Sequence, residues 1–344
     1  MACYTSPMKQ RNYMVDLCRF IAAVMIMFCH LDLVGNKTYP TYMFVDFFFI
    51  LSGYFTVQHF AKQKAEESPE KRGRIALKYT AKKFLPFIPH LLLALPIAYF
   101  ACNFHFLKDG DLLGFLTGFK DMFAESLLLP VSFFDNPVRQ IGPLWYLSVL
   151  LIVMPLFSYI CQSKYRRPIG LAGLIMAYVY FSMQDVISAF DPISGLLLCV
   201  SCMFLGMFVF DVVLEIKEKK AKVATRTLAT LVELLCLAYV CLAAIFGFTP
   251  VKMQVIVYVI MLIIMLSGVS YTSKLKIPVF TWLGKISMPL FIWHYAVGRV
   301  LSHQVANYTT KRLTIYFFAG SFIVAIAMHY ICEFILKRVT KKKA

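Results

Sequence analysis

Three ionisable residues, Asp16, Arg19 and His30, stand inside one apolar stretch near the start of the chain. Charge is costly in hydrocarbon, so an ionisable residue within a span marks a functional site by default. Arg19 and His30 are eleven positions apart. On a helix, at about 100° per residue, that returns to nearly the same face and separates them by roughly 16 Å along the axis. The ordinary reading of Arg19 is a cation that snorkels to the near surface, neutralised by Asp16 three positions earlier. For His30 it is a hydrogen bond to a neighbouring helix. A second carboxylate alters that balance. Asp46 lies in Phe44-Val-Asp46-Phe-Phe-Phe-Ile-Leu-Ser52-Gly53 and must face protein or water. The short connection 35–40 makes the two stretches antiparallel neighbours, so His30 and Asp46 are expected to meet at their outer ends. A carboxylate on one imidazole nitrogen fixes the tautomer and leaves the other a better base. The chemistry expected of such a pair is proton abstraction from a hydroxyl.

Other polar residues give less. Trp145, in Gly142-Pro-Leu-Trp145-Tyr146-Leu-Ser148, opens an apolar run as an interfacial aromatic anchor. His294, between Trp293 and Tyr295, reads as a structural hydrogen bond. Glu233 and Glu333 read as buried acids whose partners the sequence does not identify. Cys199 and Cys202 form a Cys-x-x-Cys with no His or acidic neighbour. They read as small residues at a helix contact, ahead of metal or redox chemistry. There is no set of metal ligands and no nucleophilic Ser in a hydrolase-type turn.

The elements that hold these residues follow from composition. Of 344 residues, 60% are apolar and 15% charged, against about half and a quarter in a soluble protein. Mean hydropathy is +0.71, and apolar runs of span length recur from end to end. This predicts an all-α, polytopic integral membrane protein with no separate soluble domain. Ten spans are expected, near 13–34, 41–60, 84–106, 143–161, 169–184, 194–214, 227–247, 254–272, 280–302 and 313–336. The first carries Asp16 and Arg19 and lacks a small-residue cleavage site, so it reads as a retained helix. Lys and Arg in the connecting segments split 25 to 7 between the two sides, which places both termini in the cytoplasm. The net charge of +17 therefore reflects topology, with a cytoplasmic phosphorylated ligand as a further use, and no nucleic acid. The longest external segment, 107–142, is expected to be a loop whose piece Leu127-Leu-Leu-Pro130 dips back toward the bilayer.

The same motifs resemble the membrane acyltransferase-3 family. Met14-Val-Asp16-Leu-Cys-Arg19 through His30 is similar to its opening helix, with an arginine and a histidine separated by ten residues. Val45-Asp46-Phe-Phe-Phe-Ile-Leu-Ser52-Gly53-Tyr54 is similar to its second segment. Leu144-Trp145-Tyr146-Leu-Ser148 and Trp282-Leu-Gly284-Lys285-Ile-Ser287 through Trp293-His294 resemble later ones. The resemblance spans residues 1–344 as one transmembrane acyltransferase domain. It implies transfer of an acyl group, commonly acetyl, from cytoplasmic acyl-CoA (acetyl-CoA) to a hydroxyl of a cell-envelope or exported glycan, or of a small molecule. It further implies a bacterial plasma-membrane setting. By motif, His30 is the catalytic histidine with Asp46 beside it. Arg19 lies on the coenzyme A side with Lys82 and Lys83, and Trp145 and Tyr146 serve the acceptor. Two departures stand out. The family often carries a basic pair with two residues between its members; here Lys83 is kept but Pro86 stands where the second base would be. Val149-Leu-Leu151 replaces acidic residues that many members carry. His30 then acts as general base or as a transient acyl carrier. The competing reading from another class is a transporter or flippase for a lipid-linked sugar or small solute. Against it, the chain shows no repeated half, and its polar residues cluster in the first two spans.

Overall fold

The structure is a computed structural model describing residues 11–63, 66, 68–126, 141–183, 192–217, 222–247 and 251–341. Those residues form twelve α-helices joined by short 3₁₀ turns, with no strand among them. Helix α1 (Tyr13–Phe28) starts at Asn12, whose Oδ1 accepts from the amides of Met14 and Val15. The side-chain amide of Asn12 also donates to the Met265 carbonyl, 2.8 Å away, tying this end of α1 to a distant helix. Helix α2 (Phe44–Phe60) is apolar on all sides, as an interior helix must be. Of its most apolar stretch 72% is buried.

A basic, Ser68-capped helix α3 (Pro69–Phe84) follows. Pro86 has no amide hydrogen and ends it. The chain makes the 3₁₀ turn Leu85–Phe87 and restarts as α4 (Ile88–Lys108) with Pro89 in its first turn, the position where Pro is best tolerated. Gly110, at φ 73°, turns the chain, and Asp111 Oδ1 accepts from the Gly114 amide. These lead into α5 (Leu112–Ser126). The segment 107–142, expected as a loop, thus contains a helix through residue 126. It turns Leu113, Leu116, Phe119 and Phe123 outward. The expected dip at 127–130 lies outside the described residues.

The remainder comprises α6 (Leu144–Cys161), α7 (Arg166–Ser182), α8 (Pro192–Lys217), α9 (Val223–Phe246), α10 (Val251–Ser267), α11 (Pro278–Ser302) and α12 (Thr310–Lys341). Each of the ten expected spans coincides with a helix or with a turn–helix pair. Six helical stretches are long and apolar enough to cross a membrane: 41–60, 69–108, 144–161, 193–217, 223–246 and 310–339.

Two groups of helices meet along the body of the molecule. In one, α8 packs along α2, with α6, α7 and α10 around them. In the other, α11 packs along α1, flanked by α12 and α4. Glycines permit both contacts. A Cβ on Gly53 would fall on the Met203 backbone, and one on Gly206 on the Ile50 carbonyl and the Tyr54 amide. The α2–α8 crossing is therefore backbone against backbone. On the other seam, a Cβ on Gly284 would lie 2.7 Å from Asp16 Cβ, and one on Gly298 would lie 2.6 Å from a Leu33 methyl. Helices α9 and α12 are peripheral, with 22% of their apolar stretches buried. Cys199 and Cys202 are free thiols, fully buried on α8.

Candidate active site

At the N-terminal end of α1, Asp16 Oδ2 accepts from Arg11 Nε at 2.5 Å, while Arg19 Nη1 lies 3.8 Å from Oδ1. Lys83, in the last turn of α3, is exposed and within electrostatic reach of Arg19. Its ammonium stands 5.3 Å from the centre of the Tyr79 ring. Across that ring, at 4.7 Å, is His59, around which Lys62, Lys82 and Lys83 gather. Lys82 and Lys83 lie in the last turn of α3, just before the 3₁₀ turn at Pro86. Arg19 and Lys83 are thus within electrostatic reach of each other, and Lys82 and Lys83 both act on His59. The one carboxylate, Asp16, is shared by Arg11 and Arg19, so positive charge is in surplus at this end.

The other end of α1 differs from expectation. The helix stops at Phe28, two residues before His30, so the face arithmetic that assumes unbroken helix does not carry to the imidazole. His30 occupies a turn at φ −114°, ψ 23°. The chain then makes a 3₁₀ turn over Leu31–Val34 that ends at Gly35 with φ 70°. It returns so that the Tyr39 amide donates to the Phe28 carbonyl at 3.2 Å. The half-buried His30 ring faces α11. It lies 5.4 Å from the His294 ring and 5.1 Å, edge-on, from that of Tyr295, centre to centre. Arg299, whose Nη2 donates to the Tyr295 hydroxyl at 3.0 Å, is within electrostatic reach of His30.

The expected pairing of His30 with Asp46 is not formed: no hydrogen bond or ion pair joins them. The connection runs over residues 29–43, longer than the six-residue loop read from the sequence, and turns His30 toward α11. Asp46, in the first turn of α2 and 3% exposed, faces α8 and α10, within electrostatic reach of Cys202 and Tyr258.

The two ends are linked by aromatic rings. Tyr146 is buried, stacks 4.6 Å from Phe49, and lies within electrostatic reach of Arg19. Phe291 is 5.5 Å from Tyr146 and 6.5 Å from His294. Trp145 stands beside Phe49 at 6.1 Å, one ring further from this line. Geometrically the arrangement is a cationic surface at one end, an imidazole at the other, and a wall of flat rings between.

A family model described as an acyltransferase domain matches residues 12–332. The chain belongs to the acyltransferase-3 family. The match covers every residue of both ends of α1 except Arg11, and it favours the enzyme over the transporter. Neither a curated protein nor a solved structure matches the chain. As an acyltransferase-3 protein it requires an acyl donor and an acceptor. Among the described residues no group of three or more His, Cys, Asp or Glu side chains stands ready to hold a metal ion.

Sequence reasoning passed over His294 in this acyltransferase. It is fully buried, and its Nδ1 donates to the Leu290 carbonyl at 2.9 Å, which is the structural bond expected of it. Its Nε2 has no partner. The available signal was a histidine within an apolar run that also carries Gly284 and Gly298, the marks of close packing on α1. Of the two acids expected to be buried, one is. Glu233 is buried and accepts from Thr272 Oγ1 at 2.6 Å. Glu333 is not buried and pairs with Lys337 at 2.9 Å.

Proposed function

We propose that this membrane acyltransferase moves an acyl group, acetyl in the simplest case, from cytoplasmic acyl-CoA to a hydroxyl of a cell-envelope or exported glycan. The observation that carries this reading is the polarity of α1, with Arg19 and its lysine neighbours at one end and a half-buried imidazole at the other. The charge asymmetry of the loops supports an orientation with the Arg19 end inside and both termini cytoplasmic. The nucleotide end of the donor then stays at Arg19, Lys82 and Lys83. Its thin pantetheine arm runs along Tyr146 and Phe291 toward His30, so the phosphates never cross the bilayer.

At His30, the neutral imidazole takes the proton of the acceptor hydroxyl, and the oxygen attacks the thioester carbonyl. The C–O bond forms as the C–S bond breaks. The leaving thiolate recovers the proton from the imidazolium, so the base is regenerated and no external reagent is consumed. General base catalysis of this kind contributes about 10²–10⁴-fold. Trp145 and Tyr146 provide ring faces on which a sugar or the donor arm can lie. Asp46, turned away from the imidazole, takes no part in this proton transfer.

The test has two arms. Mass spectrometry of envelope glycans from a strain lacking the gene is expected to reveal a missing acyl mass. The purified His30→Ala protein is expected to bind acetyl-CoA, read by thermal shift, while losing transfer. Transfer by His30→Ala at the wild-type rate would overturn the assignment.

A further inference from the structure

His30 lacks the carboxylate that would orient a catalytic imidazole, and His294 stands in the place such a group would take. Its Nδ1 faces the Leu290 carbonyl, which can only accept, so Nδ1 carries the hydrogen. In a neutral ring Nε2 is then a bare lone pair, and it is buried without a donor. Unmatched buried acceptors are rare in folded proteins and call for an explanation. Four rings contact that of His294. Phe291 and Phe317 carry no donor, and the Tyr295 ring, whose hydroxyl accepts from Arg299 Nη2, stands farther off at 6.4 Å and nearly perpendicular. The fourth is His30, at 5.4 Å between centres and a tilt of 31°. An N–H···N bond of about 3 Å between two imidazoles sets their centres roughly 5 Å apart. The rings are therefore spaced for that bond, with small side-chain rotations left to complete it.

We propose that His294 is the positioning residue for His30: its Nε2 accepts the N–H of His30, fixing the tautomer that leaves the other His30 nitrogen free to take a proton from the acceptor. This deepens the proposed function and rests on it. An imidazole in this role keeps the site uncharged, in contrast to a carboxylate, which would add a buried anion. Neither ring requires a counter-ion in the resting state, which suits a site built among phenylalanines. The rotation of α11 that aims His294 is fixed at the next residue, where Trp293 Nε1 donates to His90 Nδ1 of α4 at 3.1 Å.

The test uses the full-length protein in proteoliposomes, with acetyl-CoA as donor and envelope glycan from the deletion strain as acceptor. His294→Leu removes the acceptor nitrogen. It is expected to lower kcat about tenfold, the size of one hydrogen bond, with the KM for acetyl-CoA and for glycan unchanged. His294→Gln, whose Oε1 can still accept, is expected to recover most of that loss. On a His30→Ala background, His294→Leu is expected to cost nothing further. If His294→Leu does not fold, His294→Met takes its place. Equal impairment by Leu and Gln, a rise in glycan KM at constant kcat, or a full additional loss on the His30→Ala background would each overturn the proposal. Wild-type transfer by His30→Ala alone would instead overturn the base assignment, so the two failures are told apart.

Discussion

The two ends of α1 handle polar groups in opposite ways. At the Arg19 end a carboxylate stands between two guanidiniums, and the surplus charge is cationic and open to solvent. At the His30 end the imidazole touches two uncharged rings, with Arg299 the cation nearest in reach. Paired charge holds a fixed shape and attracts an anion; uncharged rings leave a proton free to move. On the proposed function, substrate capture and proton transfer lie on either side of α1, and variants at the two ends are expected to disturb different kinetic constants.

The largest effect is expected from His30→Ala, a fall in kcat of about 10²–10⁴-fold at nearly constant donor KM, measured by acetyl transfer in proteoliposomes. Next is Asp16→Asn, which leaves Arg11 and Arg19 facing each other. Because Arg11 is 45% exposed, water screens part of the repulsion, and a loss of about 1–3 kcal/mol in stability is expected, read by thermal unfolding in detergent. Arg19→Gln is expected to raise the acetyl-CoA KM about tenfold, one charge-assisted contact, with kcat little changed. A matching fall in kcat would erase the distinction between the ends. Trp293→Phe removes the donor to His90 and is expected to cost about 1 kcal/mol, seen as a drop of a few degrees in Tm. The smallest is Asp46→Asn, expected to leave kcat within about twofold of wild type. A loss as large as that of His30→Ala would return Asp46 to the base.

The reach of sequence reasoning can be followed residue by residue. The interior place of 44–60 is announced by Asp46, which must face protein or water, and not by apolarity, since the more apolar 223–246 is 22% buried against 72%. The electrostatic reach between Arg19 and Lys83 was legible because such reach tolerates several ångströms of misplacement. The ring neighbours of His30 were not, since ring packing tolerates less than one. That geometry depends on where α1 stops, and the stop is set by the Gly35 turn and the Tyr39–Phe28 bond, both formed by the returning chain. Helix α5 was hidden because its outward residues occur in a short segment bounded by Gly110 and Asp111, which reads as loop. His294 was visible as a histidine, but its idle nitrogen exists only once Leu290 and the surrounding rings are in place.

The crossing of α2 and α8 at Gly53 and Gly206 has a mechanical meaning. Two helices in backbone contact have no layer of side chains that can change rotamer to accommodate sliding, so this joint behaves as a fixed pivot. Any parting of the bundle must then occur elsewhere, at contacts such as that between α4 and α12, where no glycine brings backbone against backbone.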